Sequence, residues 1–142
     1  MTVQISDPVL QKIEAFARAR FPDEACGLLV GRRADGAIKV FGACESQNIA
    51  ANPHSHFEVD PGLRLRLQRE LRDQGAEIVG VFHSHPSGDP APSKTDSAAI
   101  WEPDLLWLIT AVAQGAVAVS KAYAVDDTDT GLLFRQVTMA FT

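Results

Sequence analysis

An α/β fold is what this sequence predicts, and three observations predict it. Two amphipathic runs open on helix caps, at Asp7-Pro8 and Asp60-Pro61; runs of β-branched and aromatic residues such as Glu77 to Phe82 alternate with them; and clusters of Gly, Pro, Asn and Asp part the runs from one another. Alternation of elements carries the class alone. The 142 residues suffice for one domain over 1–142 with a proper core, and neither internal repeats nor low-complexity segments interrupt it.

In chain order, Asp7 as N-cap and Pro8 in the first turn start a helix whose Val9, Leu10, Ile13, Phe16 and Ala17 share one stripe, ending near Arg20. Ala25 to Val30 reads as a buried strand closed by Gly31, and Ala34-Asp35-Gly36 turns it into a second strand, Ala37 to Ala43. Asn48-Ile49 and His56 to Val59 read as short strands about a turn at Asn52-Pro53. Asp60-Pro61 then opens a second helix with Leu63, Leu67 and Leu71 four residues apart, stopping at Gln74-Gly75. Leu63 to Leu67 alternates like a strand, but the flanking caps favour helix. After the strand Glu77 to Phe82, a short helix is expected from Ser93 to Trp101. Three strands follow: Leu105 to Val112, Val117 to Val125 beyond a break at Gln114-Gly115, and Leu132 to Phe141.

The chemistry centres on Gly80 to Asp96. Successive strand side chains point to opposite faces, so His83 and His85 emerge on the same side of the strand they end. Pro86, Gly88, Pro90 and Pro92 then enforce a stiff turning loop, long enough to return Asp96, in the first turn of the next helix, to the imidazoles. Two imidazoles and one carboxylate suit zinc, and three protein ligands leave a fourth tetrahedral position open, as catalytic zinc sites do. Ser93-Lys94-Thr95-Asp96 is also a capping-box pattern, which accounts for Ser93 and Asp96 without any metal but not for the histidines.

His83-Ser84-His85-Pro86, then Pro92-Ser93-Lys94-Thr95-Asp96, with Glu24-Ala25-Cys26-Gly27-Leu28-Leu29-Val30-Gly31 upstream, resembles the JAMM (MPN+) zinc metallopeptidases. The resemblance implies a mixed, mostly antiparallel curved sheet with helices on both faces, of the cytidine-deaminase-like kind. It implies a zinc ion on His83, His85 and Asp96, with Glu24 as general acid/base outside the ligand set. Ser93, if its hydroxyl faces the metal, would donate to an oxyanion. Short bacterial-type members of this family process ubiquitin-like sulfur carriers, so the implied substrate is such a carrier, cut after its Gly-Gly tail. Alternatives are a zinc hydrolase of small amides, a DNA-repair-associated relative sharing the stretch His85 to Ser93, and a non-catalytic MPN scaffold, whose members lack ligands present here.

Other patterns carry less. His54 and His56 repeat the His-x-His spacing with no acid following at a comparable distance, so substrate contact or plain surface is the expectation. Cys26 sits inside an apolar strand, where a thiol is normally a small buried hydrophobe and not a nucleophile. Asp127-x-Asp129 lacks the rest of a calcium loop, and Asp129-Thr130-Gly131 is turn chemistry. Zinc nucleoside deaminases are disfavoured by the missing Pro-Cys-x-x-Cys ligands. A net charge of −5 without a basic tract argues against nucleic acid or an anionic membrane as partner, and no run reaches the ~20 apolar residues of a spanning helix. Two cysteines without CxxC spacing, and no signal peptide, give the expectation of a reduced, cytoplasmic protein. The oligomeric state stays open, a homodimer included.

Overall fold

The computed structural model of the protein describes residues 2–114 and 118–142. Among the described residues, eight strands form one sheet in the order β7-β6-β5-β4-β2-β3-β1-β8. These are β1 Thr2–Ile5, β2 Cys26–Ala34, β3 Ala37–Ser46, β4 Glu77–His85, β5 Leu106–Ala111, β6 Val119–Thr128, β7 Gly131–Val137 and β8 Met139–Phe141. Three helices accompany them among the described residues: α1 Asp7–Arg20, α2 Pro61–Leu71 and α3 Lys94–Ala98. Four ladders are antiparallel and three parallel, the latter being β1 with β3, β1 with β8, and β4 with β5.

The sheet curls strongly. β7 lies at one edge and β8 at the other, yet Thr138 alone separates them in the chain, so the two edges must approach. Inside the curl, α1 lays Val9, Ile13 and Phe16 against Leu29, Val40, Phe82 and Leu108, with Phe16 and Phe82 meeting edge to face at 6.4 Å. Strand alternation sends the neighbouring residues outward. Leu28 and Val30 pack on Leu63 and Leu67 of α2, while Val81, Trp107 and Ile109 pack on Ile100 beyond α3. The histidines of β4 share the α2 and α3 face with these residues.

Several elements differ from the sequence reading, each for a local reason. β1 was not expected; its four residues suffice because Val3 and Ile5 bury beside Ile38 and Val40. The cap of α1 is Ser6, whose hydroxyl accepts from Val9 N–H, and Asp7 is already helical. β2 runs past Gly31 to Ala34 because a bulge at Val30/Gly31 lets the hairpin with β3 continue. Asn48 and Val59 form one isolated bridge, not two strands. α3 stops at Ala98, and the last apolar run splits into β7 and β8. Of the expected break and strand start, Gly115 and Val117 lie outside the described residues.

Candidate metal centre

The centre forms where β4 ends beside β2 and β5. Cys26 pairs with His83 across the antiparallel ladder, which brings Glu24, two residues earlier, to the end of β4. Gly27 permits this close approach: a Cβ there would fall 2.2 Å from the Cys44 carbonyl oxygen and 2.4 Å from the Phe82 ring. Ser84, between the histidines, faces the other way. Its N–H donates to Ala25 O at 2.9 Å and its hydroxyl accepts from Ala25 N–H at 2.7 Å, so β4 grips the residue next to Glu24.

The proline-rich loop is held in a definite shape. Gly88 N–H donates to His85 O at 3.2 Å with Gly88 at φ +85°, a left-handed turn that other side chains resist. Tyr123 Oη donates to Pro90 O at 2.9 Å, pinning the loop to β6. Ser93 then caps α3. Its hydroxyl accepts from Asp96 N–H at 3.1 Å, and its own N–H donates to Asp96 Oδ2 at 2.9 Å. The capping box is therefore real, and the same carboxylate also faces the imidazoles. Asp96 Oδ1 lies 3.0 Å from His83 Nε2, and Oδ2 lies 2.9 Å from His85 Nε2. A capping acid has no need of burial, yet Asp96 is only 3% exposed.

The donor set fits a divalent cation. His85 Nδ1 faces the carbonyl of Asp89 at 2.8 Å, and a carbonyl only accepts, so Nδ1 carries the proton and the neutral ring offers a lone pair at Nε2. That lone pair points at Asp96 Oδ2 and at His83 Nε2, 3.1 Å away. One added proton answers one of these contacts; a cation among the three answers all of them. The second-atom bond of His85 is also the arrangement that orients metal-bound histidines. Glu24 Oε1 and His83 Nδ1 are buried without hydrogen-bond partners among the described residues. Glu24, His83 and His85 also each offer an atom within 4.8 Å of the others, so Glu24 stands near enough to compete with Asp96 as a ligand.

Electrostatics divide the roles. Burial pushes Glu24 up to about 7, with the His85 charge pulling it down and Asp96 pushing it further up. Burial lowers His83 and keeps it neutral, as a ligand must be. Burial likewise opposes a charge on His85, but the Asp96 carboxylate and the Asp89 carbonyl outweigh it and raise its pKa. Asp96, despite its burial, is held well below the usual carboxylate range by both imidazoles and by Ser93 N–H. Cys26 is fully buried and its thiol is pushed up to about 12 by burial, which leaves almost no thiolate near neutrality and removes it as a nucleophile.

All five expected residues, Glu24, His83, His85, Ser93 and Asp96, thus meet at one place; His54 and His56 do not join them. His54 Nδ1 pairs with Asp23 Oδ1 at 2.9 Å, and His56 Nδ1 with Ser55 Oγ at 2.7 Å, both exposed. Sequence reasoning missed the walls. Phe57 stacks on His83 with ring centroids 4.2 Å apart and planes 17° from parallel, and Trp107 meets the same ring edge-on at 5.5 Å. Phe57 and Trp107 also line a groove of about 340 Å³ with Val81, Trp101, Arg64 and Glu102. A larger cavity of about 790 Å³, lined by Arg33, Asp104, Asp126 and Arg135, lies at the opposite end of the strands.

The chain is similar to several known proteins. It is 34% identical over 103 residues to the desampylase of Haloferax volcanii, covering 72% of this chain and 73% of that one. It is 32% identical over 95 residues to the CysO-cysteine peptidase of Mycobacterium tuberculosis, covering 67% of this chain and 63% of that one. The solution structure of a Desulfitobacterium hafniense protein superposes with a TM-score of 0.81 at 30% identity, covering 99% of this chain and 94% of the other. The family described as prokaryotic homologs of the JAB domain matches residues 6–125, and with Glu24, His83, His85 and Asp96 gathered inside that span the chain belongs to this family.

Proposed function

We propose that this protein is a zinc-dependent peptidase that hydrolyses the bond after the Gly-Gly tail of a ubiquitin-like carrier. The observation that carries the reading is the buried meeting of His83, His85 and Asp96 beside Glu24, whose Oε1 has no partner among the described residues. His83, His85 and Asp96 would hold the ion. When bound, zinc supplies Lewis acidity that lowers the pKa of water to about 7 and polarises a carbonyl. Glu24, buried beside these residues with its Oε1 free of partners among the described residues, is the group placed to take a proton and return it to the departing amine. Ser93 has its lone pair engaged by Asp96 N–H, which leaves its hydroxyl proton free to stabilise an oxyanion.

The substrate class rests on the relatives, whose names describe a desampylase and a CysO-cysteine peptidase. It also rests on the groove of about 340 Å³ beside Phe57 and Trp107, where an extended chain could lie next to the histidines. Two free thiols, Cys26 and Cys44, suit a reducing compartment, and among the described residues no helix is long and apolar enough to cross a membrane. The test is mass spectrometry of a ubiquitin-like carrier bearing residues beyond Gly-Gly, with and without chelator. Cleavage after the second Gly, lost with chelator and restored by zinc, is the expected result. An uncut carrier beside a readily hydrolysed small amide would replace this reading with a small-amide hydrolase.

A further inference from the structure

We infer that Asn48 is a positioning residue that couples the general base to the segment covering the metal-side histidine; the inference rests on the role given to Glu24 above. The Asn48 side chain uses its whole hydrogen-bonding capacity. Its amide nitrogen donates to Glu24 O at 2.9 Å and to His56 O at 3.0 Å. Its amide oxygen accepts from Ala50 N–H and from Glu58 N–H, both at 3.1 Å. The orientation follows from the partners, because exchanging O and N would set two donors against two donors and two acceptors against two acceptors.

These four bonds tie three pieces of backbone together. Ala50, His56 and Glu58 belong to the excursion between β3 and α2, which folds back on itself through Ile49 N–H to Glu58 O at 3.1 Å. Phe57, the residue between two of the anchored positions, is the one stacked on His83. Glu24 is the other end of the tie. Its N–H donates to Pro53 O at 2.7 Å, within the same excursion, while its neighbour Ala25 is held by Ser84 from β4. The backbone of the general base is therefore clamped between the excursion and the histidine strand, and Asn48 is the side chain that closes the clamp. No other side chain fills the place as well: Asp lacks both donors, Ser offers a single hydroxyl, and Gln is longer by a methylene.

Displacements well under an ångström at such a residue matter, since misplacement by about 1 Å costs on the order of 100-fold in rate. The test compares Asn48→Ala in the parent and in a Glu24→Gln background, using the zinc-loaded full chain and a carrier extended beyond Gly-Gly. The expected result is a fall in kcat of about 10- to 100-fold in the parent, with zinc stoichiometry unchanged, and little further fall in the Glu24→Gln background. Asn48→Asp, which keeps the bonds from Ala50 and Glu58 but loses both donations, is the second variant and should show the same dependence on Glu24. A second readout needs no activity. In the metal-free protein, the upfield ring-current shift that Phe57 imposes on the His83 ring protons should shrink in Asn48→Ala. Equal losses in both backgrounds, or no loss in the parent, would overturn the inference, and an unchanged His83 shift would remove the link to Phe57. A wild-type protein that cuts no carrier would count against the proposed activity, and the His83 shift would still decide the clamp.

Discussion

This chain carries two His-x-His pairs, and only one of them meets a buried carboxylate. His83 and His85 end a strand, so the period of two puts both rings on one face, where Ile109 and Ala111 of β5 lie alongside and water is excluded. His54 and His56 lie in a turning segment without strand geometry, and their Nδ1 atoms find different partners, Asp23 and Ser55. The spacing is identical. What differs is a backbone that fixes the rings, burial that makes unpaired nitrogens costly, and a carboxylate delivered by a capped helix.

The largest effect should come from the residues proposed to hold the metal. His85→Ala and Asp96→Asn are expected to lose bound zinc and to fall by about 1000-fold or more in kcat/KM, whereas His54→Ala and His56→Ala should keep zinc and stay within about 3-fold of the parent. Elemental analysis and carrier cleavage read both arms. Zinc retained in His85→Ala, or lost in His56→Ala, would reverse the contrast between the pairs.

Glu24 comes next and decides between two donor sets, because it approaches both histidines as Asp96 does. Glu24→Gln should keep its zinc while activity falls about 100- to 10,000-fold, the usual span for a lost general acid/base. If zinc leaves with the Glu24 carboxylate but stays in Asp96→Asn, the ligand assignment moves from Asp96 to Glu24. Among the described residues no single carboxylate meets both rings of the second pair, since the half-buried Asp23 meets His54 and Ser55 meets His56.

Ser93 tests whether cap and chemistry separate. Ser93→Ala removes the acceptor for Asp96 N–H, which should cost about 1 kcal/mol of stability, and it removes the free donor, which should cost about 100-fold in kcat. Ser93→Gly isolates the two, because glycine is a tolerable cap with no hydroxyl. Near-parental stability with the rate loss intact is the expected outcome, read by thermal melting and kinetics.

How far the sequence carried these conclusions depends on the range of each interaction. His83, His85, Ser93 and Asp96 fall within a short stretch whose local rules, strand alternation and a capping box, already bring them together. Glu24 was legible only through its resemblance to a family pattern, because the ladder that sets Cys26 against His83 is not written in either segment. Phe57, Trp107, Asn48 and Ser84 gave no local signal. Trp107 reads as one more apolar strand residue until the parallel register with β4 is known, and Asn48 as a loop residue until its four partners are assembled. β1 escaped for the same reason: four residues hold no pattern, and their two partner strands lie about 35 and 135 residues further along the chain.

The smallest effect is also the one that shows most directly what burial does to the first pair and spares the second. Glu24 has its pKa raised to about 7 from a reference of 4.5, chiefly by burial, so in the metal-free protein the folded state binds this proton more tightly than the unfolded chain does. A raised folded-state value means the stabilising contribution is complete below about 4.5 and is lost as pH climbs through about 7. His83, which burial keeps neutral, acts with the opposite sign, losing stability as pH falls. His85, raised by Asp96 and the Asp89 carbonyl, acts with the sign of Glu24, and Asp96, held low, acts with that of His83, so the wild-type curve alone mixes opposed trends. Subtracting it from that of Glu24→Gln removes the His83 contribution and leaves that of the Glu24 carboxyl together with its coupling to His85 and Asp96, since Gln is buried without a charge at any pH. Denaturant unfolding of the two metal-free proteins at pH 5 and pH 8 should show Glu24→Gln gaining on the parent by about 1–3 kcal/mol at the higher pH. A difference that does not change between the two pH values would mean that water reaches the Glu24 carboxylate, and that the enclosure separating the two His-x-His pairs is looser than its geometry implies.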